Sequence, residues 1–348
     1  MNITDRSLEE HGDADIAGYL EACGFEVGPD SSIFRETSET DQMPQPLYVH
    51  HDLELVNLIV NELGEDSVGF TSPVGTGKTA LREILLREIG SQDQFIMTHL
   101  EGESLTKRQL MARVFETILE EGYEYDRSNY GQITDGIPWS TTDLIQALSE
   151  VTTKVRASSG GRKQFVVIVD QIERYDERQL QGLQSLIDKG VDLLMMGVPR
   201  GEQKVRKELP ALHSRVYWLD RPIKSFAPGH TAEYVARSLS YYADGGPYEG
   251  PEFRTNEAFA DGPSTFTSFD SFVQTATLGP FTPDTIQEIT ERTGGNPRLV
   301  KEVCRHALVE AARTWATGDE EATAVEIDTE LVADLPIEQQ AAALTPAQ

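Results

Sequence analysis

The stretch Phe165-Val166-Val167-Ile168-Val169-Asp170 constrains the fold more than any other: five consecutive apolar residues, four of them β-branched, closed by a carboxylate. A strand with one wet face alternates apolar and polar side chains, whereas an unbroken run suits a central parallel strand covered on both faces. Parallel neighbours need crossover connections, normally helices. The flanking pattern supplies both parts. Strands are expected at 68–70, 95–100 and 191–197, and helices at 107–119 and 142–155. A helix carrying Leu81, Ile84, Leu85 and Ile89 on one stripe follows the first strand, and 121–140 reads as a polar loop.

Upstream, 47–63 reads as extended chain and then a helix with Leu53, Leu55, Val56, Ile59, Val60 and Leu63 on one face. Past Arg221 the strand pattern gives way to helical candidates at 230–241, 283–292 and 297–316. The expected organisation is a polar, acidic flanking segment over 1–45 with a short amphipathic stretch (Ile16, Leu20, Phe25). An α/β domain over 46–221, a small helical domain over 222–335 and a tail over 336–348 follow. An insertion at 243–281, rich in Gly, Pro and Phe, interrupts the helical part. Its length suits either a flexible excursion packed on its own aromatics or a partner-docking element.

Charge narrows the class further. Asp and Glu number 58 against 30 Lys and Arg, a formal charge of −28, and 21 of the cations are arginine against 9 lysine. The acid is spread along the whole chain, so it repels itself in dilute buffer and is screened by salt. It reads as adaptation to the salty cytoplasm of a halophile, with an ordinary acidic protein as the alternative. Every protein in such a cell shares that background, so the charge does not exclude nucleic acid. No apolar run approaches the ~20 residues of a membrane span, and the N-terminus lacks the character of a signal peptide. Cys23 and Cys304 are too few and too scattered for a disulfide framework or a cysteine-rich zinc site. A soluble cytoplasmic protein is expected.

Ser72-Pro73-Val74-Gly75-Thr76-Gly77-Lys78-Thr79 joins the first strand to the helix after it. The phosphate-loop pattern G-x-x-x-x-G-K-[ST] wraps phosphate oxygens in backbone amides at a helix N-terminus. Gly77, Lys78 and Thr79 match, while Ser72 stands in place of the first glycine. Gly75 and Gly77 let the backbone approach an anion, with Thr76 and Ala80 contributing amides around them. Lys78 is suited to the β- and γ-phosphates of ATP, and the Thr79 hydroxyl to magnesium.

Asp170, closing the buried strand, would share that magnesium with Thr79; a helix N-cap is the structural alternative. The residue after it is Gln171, where an amide orients a water but takes no proton at neutral pH. Glu173 is the nearest carboxylate able to take that proton, two residues further on. Slow hydrolysis or none is therefore expected. In Gly294-Gly295-Asn296-Pro297-Arg298, Asn296 is a natural N-cap and Pro297 a natural first helical residue, which fixes Arg298 in the first turn.

With these three motifs in this order the chain resembles an AAA+ ATPase of the origin-recognition and ExeA-like type, over roughly 33–335. The resemblance implies a P-loop NTPase sheet followed by a helical lid, with ATP and magnesium as cofactors. It implies that Arg298 senses the γ-phosphate from the lid and that the segment holding His50 and His51 lines the adenine pocket. Arginine is commoner in the family where His51 stands. Leu212-His213-Ser214-Arg215-Val216 resembles the box that supplies an arginine finger, here Arg215, to a neighbouring subunit; a surface arginine is the alternative. Leu193-Leu194-Met195-Met196-Gly197-Val198-Pro199 is similar to the strand carrying the first sensor, but no Asn or Thr stands at its tip. The stretch from Val325 to Val332 resembles the segment closing the lid. Origin-binding members continue into a winged-helix DNA reader, for which 336–348 is too short.

The expected activity is that of an ATPase, coupling ATP binding and slow hydrolysis to a homo-oligomer or partner protein in a DNA transaction. The alternative is a switch that holds ATP without turnover. Direct DNA contact would fall to the basic stretches 154–163 and 200–207, of which the first reads better as a solvated loop.

Overall fold

The computed structural model describes residues 15–27, 33–34, 45–63, 65–90, 95–100, 105–159, 163–244, 248–259, 262, 264–317 and 326–335. The expected tail 336–348, most of the flanking segment, Gly160-Gly161 and Val325 lie outside them. The chain forms two compact units, one over 54–223 and one made of 1–53 with 224–348.

The first unit is built on a parallel sheet of β1 (Ser67–Thr71), β2 (Phe95–Leu100), β3 (Gln164–Val169), β4 (Asp192–Gly197) and β5 (Val216–Leu219). Their spatial order is β2-β3-β4-β1-β5. The unbroken apolar run of β3 is explained by two cores. Phe165, Val167 and Val169 point to one face with helices Lys107–Glu120, Thr141–Ser158 and Glu177–Ile187. Val166 and Ile168 point to the other, with Leu55, Val56 and Ile59 of Leu53–Glu62 and Leu81 of Lys78–Ile84. All five strand residues are buried, as a doubly covered strand requires.

Three features depart from the sequence pattern. β5 carries no strong apolar signal because it is a four-residue edge strand with Tyr217 exposed. The stretch 121–140 is not simply a polar loop: Tyr125, Tyr130 and Ile137 enter the core, and Ile133 pairs with Pro138 in a short hairpin. The stretch 154–158 is the last part of helix Thr141–Ser158, with Lys154 paired to Glu150 at 2.6 Å and Arg156 to Asp192 at 3.7 Å.

The second unit is helical, around Pro228–Asp244, Pro283–Thr293 and Pro297–Thr317. Described residues of the N-terminal segment belong to its core: Tyr19 lies 6.2 Å from Trp315, and Phe34 5.9 Å from Tyr234 (ring centroids). The described part of 243–281 is anchored rather than loose. Glu233 is buried and accepts from Arg237 Nε at 2.8 Å and from the Phe253 amide at 2.8 Å, while Arg237 reaches Glu252 at 3.3 Å. Arg254 pairs with Glu252 and lies 3.9 Å from Glu233. Phe253 packs edge-on to His230 and Phe272.

This interior keeps its histidines neutral. Burial, with His51, Arg254 and Lys224 adding repulsion, holds His230 at about 3 against an ordinary 6.5. Burial, with Arg254 and Arg237, holds His50 at about 4. The unfolded chain protonates both as pH falls through 6.5 and the folded chain does not, so stability declines from that pH toward 4 and below. His230→Phe is therefore expected to flatten the slope of unfolding free energy against pH between 4 and 6.5, measured by urea denaturation in molar potassium chloride. An unchanged slope would remove His230 as a source.

Candidate phosphate site

The site of the first unit is assembled at the carboxyl ends of β1, β3 and β4, where ligands of open parallel sheets bind. β4 separates β1 from β3, so the loop after β1 and Asp170 after β3 are two strand spacings apart, about 10 Å between axes. Long side chains are needed to close that gap.

The loop 72–78 leaves β1 with the Ser72 amide donating to Gly197 O at 2.9 Å, which extends the sheet by one rung. Gly75 (φ +82°) and Gly77 (φ +93°) take the left-handed conformation that glycine adopts without a side-chain clash and that anion-binding loops use. Gly77 caps helix Lys78–Ile84 without a side-chain hydrogen bond to its first amides. Ser72 is fully buried. Its Oγ accepts from Thr76 Oγ1 at 2.8 Å and from the Ile223 amide at 3.2 Å, tying the loop to the segment after β5. The residue that breaks the glycine pattern thus stiffens the base of the loop.

Lys78 donates from Nζ to Ser72 O at 2.8 Å and Pro73 O at 2.7 Å, lying back over the loop it starts from. Burial lowers its pKa, partly opposed by the charges of Asp170 and Glu173. Both carboxylates are near enough for their charge to favour the protonated ammonium. Asp170 is 1% exposed, with Oδ1 accepting from the Gln171 amide at 2.8 Å and Oδ2 lying 3.5 Å from Arg82 Nη1. Gln171 has φ +57° and ψ +46°, rare for a non-glycine residue and costing of order 1–3 kcal/mol. That left-handed turn swings the chain into Ile172–Arg174 and aims Glu173 back over the tip of β4, where its Oε2 accepts from the Val198 amide at 3.2 Å. The tip that lacks a sensor side chain is filled by Glu173. Lys204 holds the turn through Glu173 O at 3.2 Å and Tyr175 O at 2.5 Å. Thr79 is exposed in the first turn of its helix, the only other oxygen donor proposed for a metal. Among the described residues no cluster of three acidic, histidine or cysteine side chains could hold a metal without further ligands.

No protein-family model matches the chain. Its sequence is 25% identical over 281 residues to General secretion pathway protein A of Aeromonas hydrophila, across 77% of this chain and 42% of that protein. The chain thus spans under half the length of that relative. In fold it is similar to Cdc6p from Pyrobaculum aerophilum, at 12% identity and a TM-score of 0.46 over 83% of this chain and 68% of the other. It is also similar to the Aeropyrum pernix ORC2 protein in its ADPNP-ADP complexes, at 11% identity and a TM-score of 0.48 over 88% and 72%. The chain has an α/β fold on a five-stranded parallel sheet, and it resembles, in sequence and in fold, the proteins just named. No helix among the described residues is long and apolar enough to cross a membrane.

Gly75, Thr76, Gly77, Lys78, Thr79, Ala80, Asp170, Gln171 and Glu173 all belong to this one edge of the sheet. Arg215 does not. It precedes β5 at the opposite, amino-terminal edge and pairs with Asp188 at the end of helix Glu177–Ile187. It is therefore directed away from the phosphate loop of its own chain. His50 and Arg298 belong to the second unit. Asn296 caps its helix as expected, Oδ1 accepting from the Arg298 amide at 3.0 Å, and Arg298 is exposed with Nε 3.4 Å from Glu302. Gly295 is required there, because a Cβ would lie 2.1 Å from Phe226 O. Arg82 was missed from sequence, although its place one helical turn beyond Lys78 puts both on one face.

Ser72→Ala strips the Ile223 amide of a buried acceptor and Thr76 of one partner. It is expected to cost about 1–2 kcal/mol in urea denaturation. An unchanged midpoint would show that the loop does not rely on this tie.

Proposed function

We propose that this chain binds ATP and magnesium on the β1 loop and passes its nucleotide state to a partner assembly, hydrolysing slowly. The observation that carries the proposal is the placement of Asp170 and Glu173 at the carboxyl ends of β3 and β4, beside a loop with two left-handed glycines over which Lys78 folds back. In this reading the amides of 75–80 receive the phosphates, and Lys78 exchanges its two carbonyl partners for β- and γ-oxygens. Thr79 and Asp170 offer the hard oxygen ligands magnesium prefers, which fits the donor set present. Magnesium supplies charge neutralisation on the phosphate oxygens. Gln171 orients the attacking water and Glu173 accepts its proton, since the carboxylate is already aimed at this edge. The roles that the resemblance gives to His50 (base pocket), Arg298 (γ-phosphate sensor) and Arg215 (finger for a neighbouring subunit) are part of this reading.

The placement of Arg215 at the far edge favours action between subunits over action within one. Any DNA role is indirect in this reading, because cations of the two basic stretches are engaged locally: Lys204 by carbonyls, Arg206 by Glu202 at 2.7 Å, and Lys154 and Arg156 by carboxylates. A cytoplasmic setting rich in salt is proposed from the −28 charge. A second reading, an ATP-holding switch without turnover, is favoured by Gln171 directly after Asp170.

Lys78→Ala is expected to abolish ATP binding measured by equilibrium titration in molar potassium chloride. Glu173→Gln should keep binding but cut steady-state phosphate release by roughly a hundredfold. Wild type that binds no ATP would end the proposal. Wild type that binds ATP and releases no phosphate would establish the switch instead, and full release by Glu173→Gln would remove Glu173 as the base.

A further inference from the structure

Arg82 is the largest fully buried side chain among the described residues, at 1% exposure. A guanidinium keeps its proton at any pH a protein survives, so enclosing it demands anionic partners. Two are supplied. Nη2 and Nε donate to Glu83 Oε1 at 3.0 and 3.2 Å, and Nη1 stands 3.5 Å from Asp170 Oδ2. Glu83 is itself 8% exposed, and Arg87 reaches its other oxygen at 4.0 Å. With the other Asp170 oxygen accepting from the Gln171 amide, both ends of that carboxylate are engaged by the protein.

We infer that Arg82 is an internal counter-cation for Asp170, excluding a bare divalent metal and admitting one only together with a triphosphate. The inference rests on the reading of Asp170 as the metal-side carboxylate. Its physics is a charge count. A free divalent cation approaching Asp170 meets the fixed charge of Arg82, which Glu83 shares and so offsets in part; what remains opposes the metal's own charge at a carboxylate the protein has already paired. A triphosphate engages Lys78 and adds anionic oxygens on the metal's open side, so the same repulsion is outweighed when metal and nucleotide arrive as one species. Arg82 is thus a positioning residue: it touches Asp170, not the phosphates, and sets the order in which charge enters the site.

The test uses Mn2+ alone, titrated into the full chain without nucleotide in molar potassium chloride and followed by the paramagnetic resonance of the free ion. Wild type is expected to leave Mn2+ free into the millimolar range. Arg82→Gln should bind it at least about tenfold more tightly, with Arg82→Met, which keeps the volume of the buried stem, behaving alike. Adding Asp170→Asn to either variant should abolish the gain. A parallel ATP titration separates the two claims. Wild type that fails to bind ATP at all overturns the phosphate-loop reading. ATP binding by wild type with no gain in Mn2+ affinity in either variant overturns the role of Arg82 alone. Sub-millimolar binding of Mn2+ by nucleotide-free wild type overturns it whether or not the variants fold.

Discussion

Asp170 is a carboxylate buried at the end of a strand covered on both faces, and the arrangement of this edge of the sheet follows from accommodating it. An ionised group there is costly unless fully compensated. The Gln171 amide takes one oxygen, and Arg82 stands beside the other. The first partner is available because the chain turns left-handed at Gln171, and the second because helix Lys78–Ile84 starts at the end of β1 and carries Arg82 inward. The left-handed turn also aims Glu173 at the tip of β4, and the helix start brings Lys78 under the influence of both carboxylates. Backbone strain at one residue is thereby coupled to the placement of two acidic groups.

The chain uses its charge in two different ways. Most of the 58 carboxylates contribute to a formal charge of −28 and gain from salt screening. A minority are enclosed with arginine: Asp170 and Glu83 with Arg82 in one unit, Glu233 with Arg237 and Arg254 in the other. Pairs withdrawn from water are screened little, so they hold their geometry at ionic strengths that flatten the surface field. In the helical unit the enclosed set fastens 252–254 onto helix Pro228–Asp244, and the Phe253 ring fills the space beside His230.

Elements built by contiguous residues were legible in the sequence. The run 165–169, the stripe at Leu81, Ile84 and Leu85, and the Asn296-Pro297 helix start each encode their structure within a few positions, and all are found as expected. The elements that escaped depend on partners distant in sequence. β5 is a strand because β1 lies beside it, with Val68 opposite Tyr217, and its own alternation is too short to read. Tyr125, Tyr130 and Ile137 are single apolar residues among polar ones, and only the fold gathers them. Arg82 looks like the solvent side of an amphipathic helix until Asp170, 88 positions later, is placed beside it. Ser72 looked like a defect in a glycine pattern because its partner, Ile223, lies beyond the last strand of the sheet.

In the function proposed, backbone amides of the loop after β1 enclose a triphosphate. Amide hydrogen exchange, followed by mass spectrometry in molar potassium chloride with and without ATP and magnesium, measures that backbone directly. Bound nucleotide is expected to slow exchange first in peptides covering 74–80 and then in those covering 170–175 and 198. Unchanged exchange over 74–80 at saturating nucleotide would contradict it.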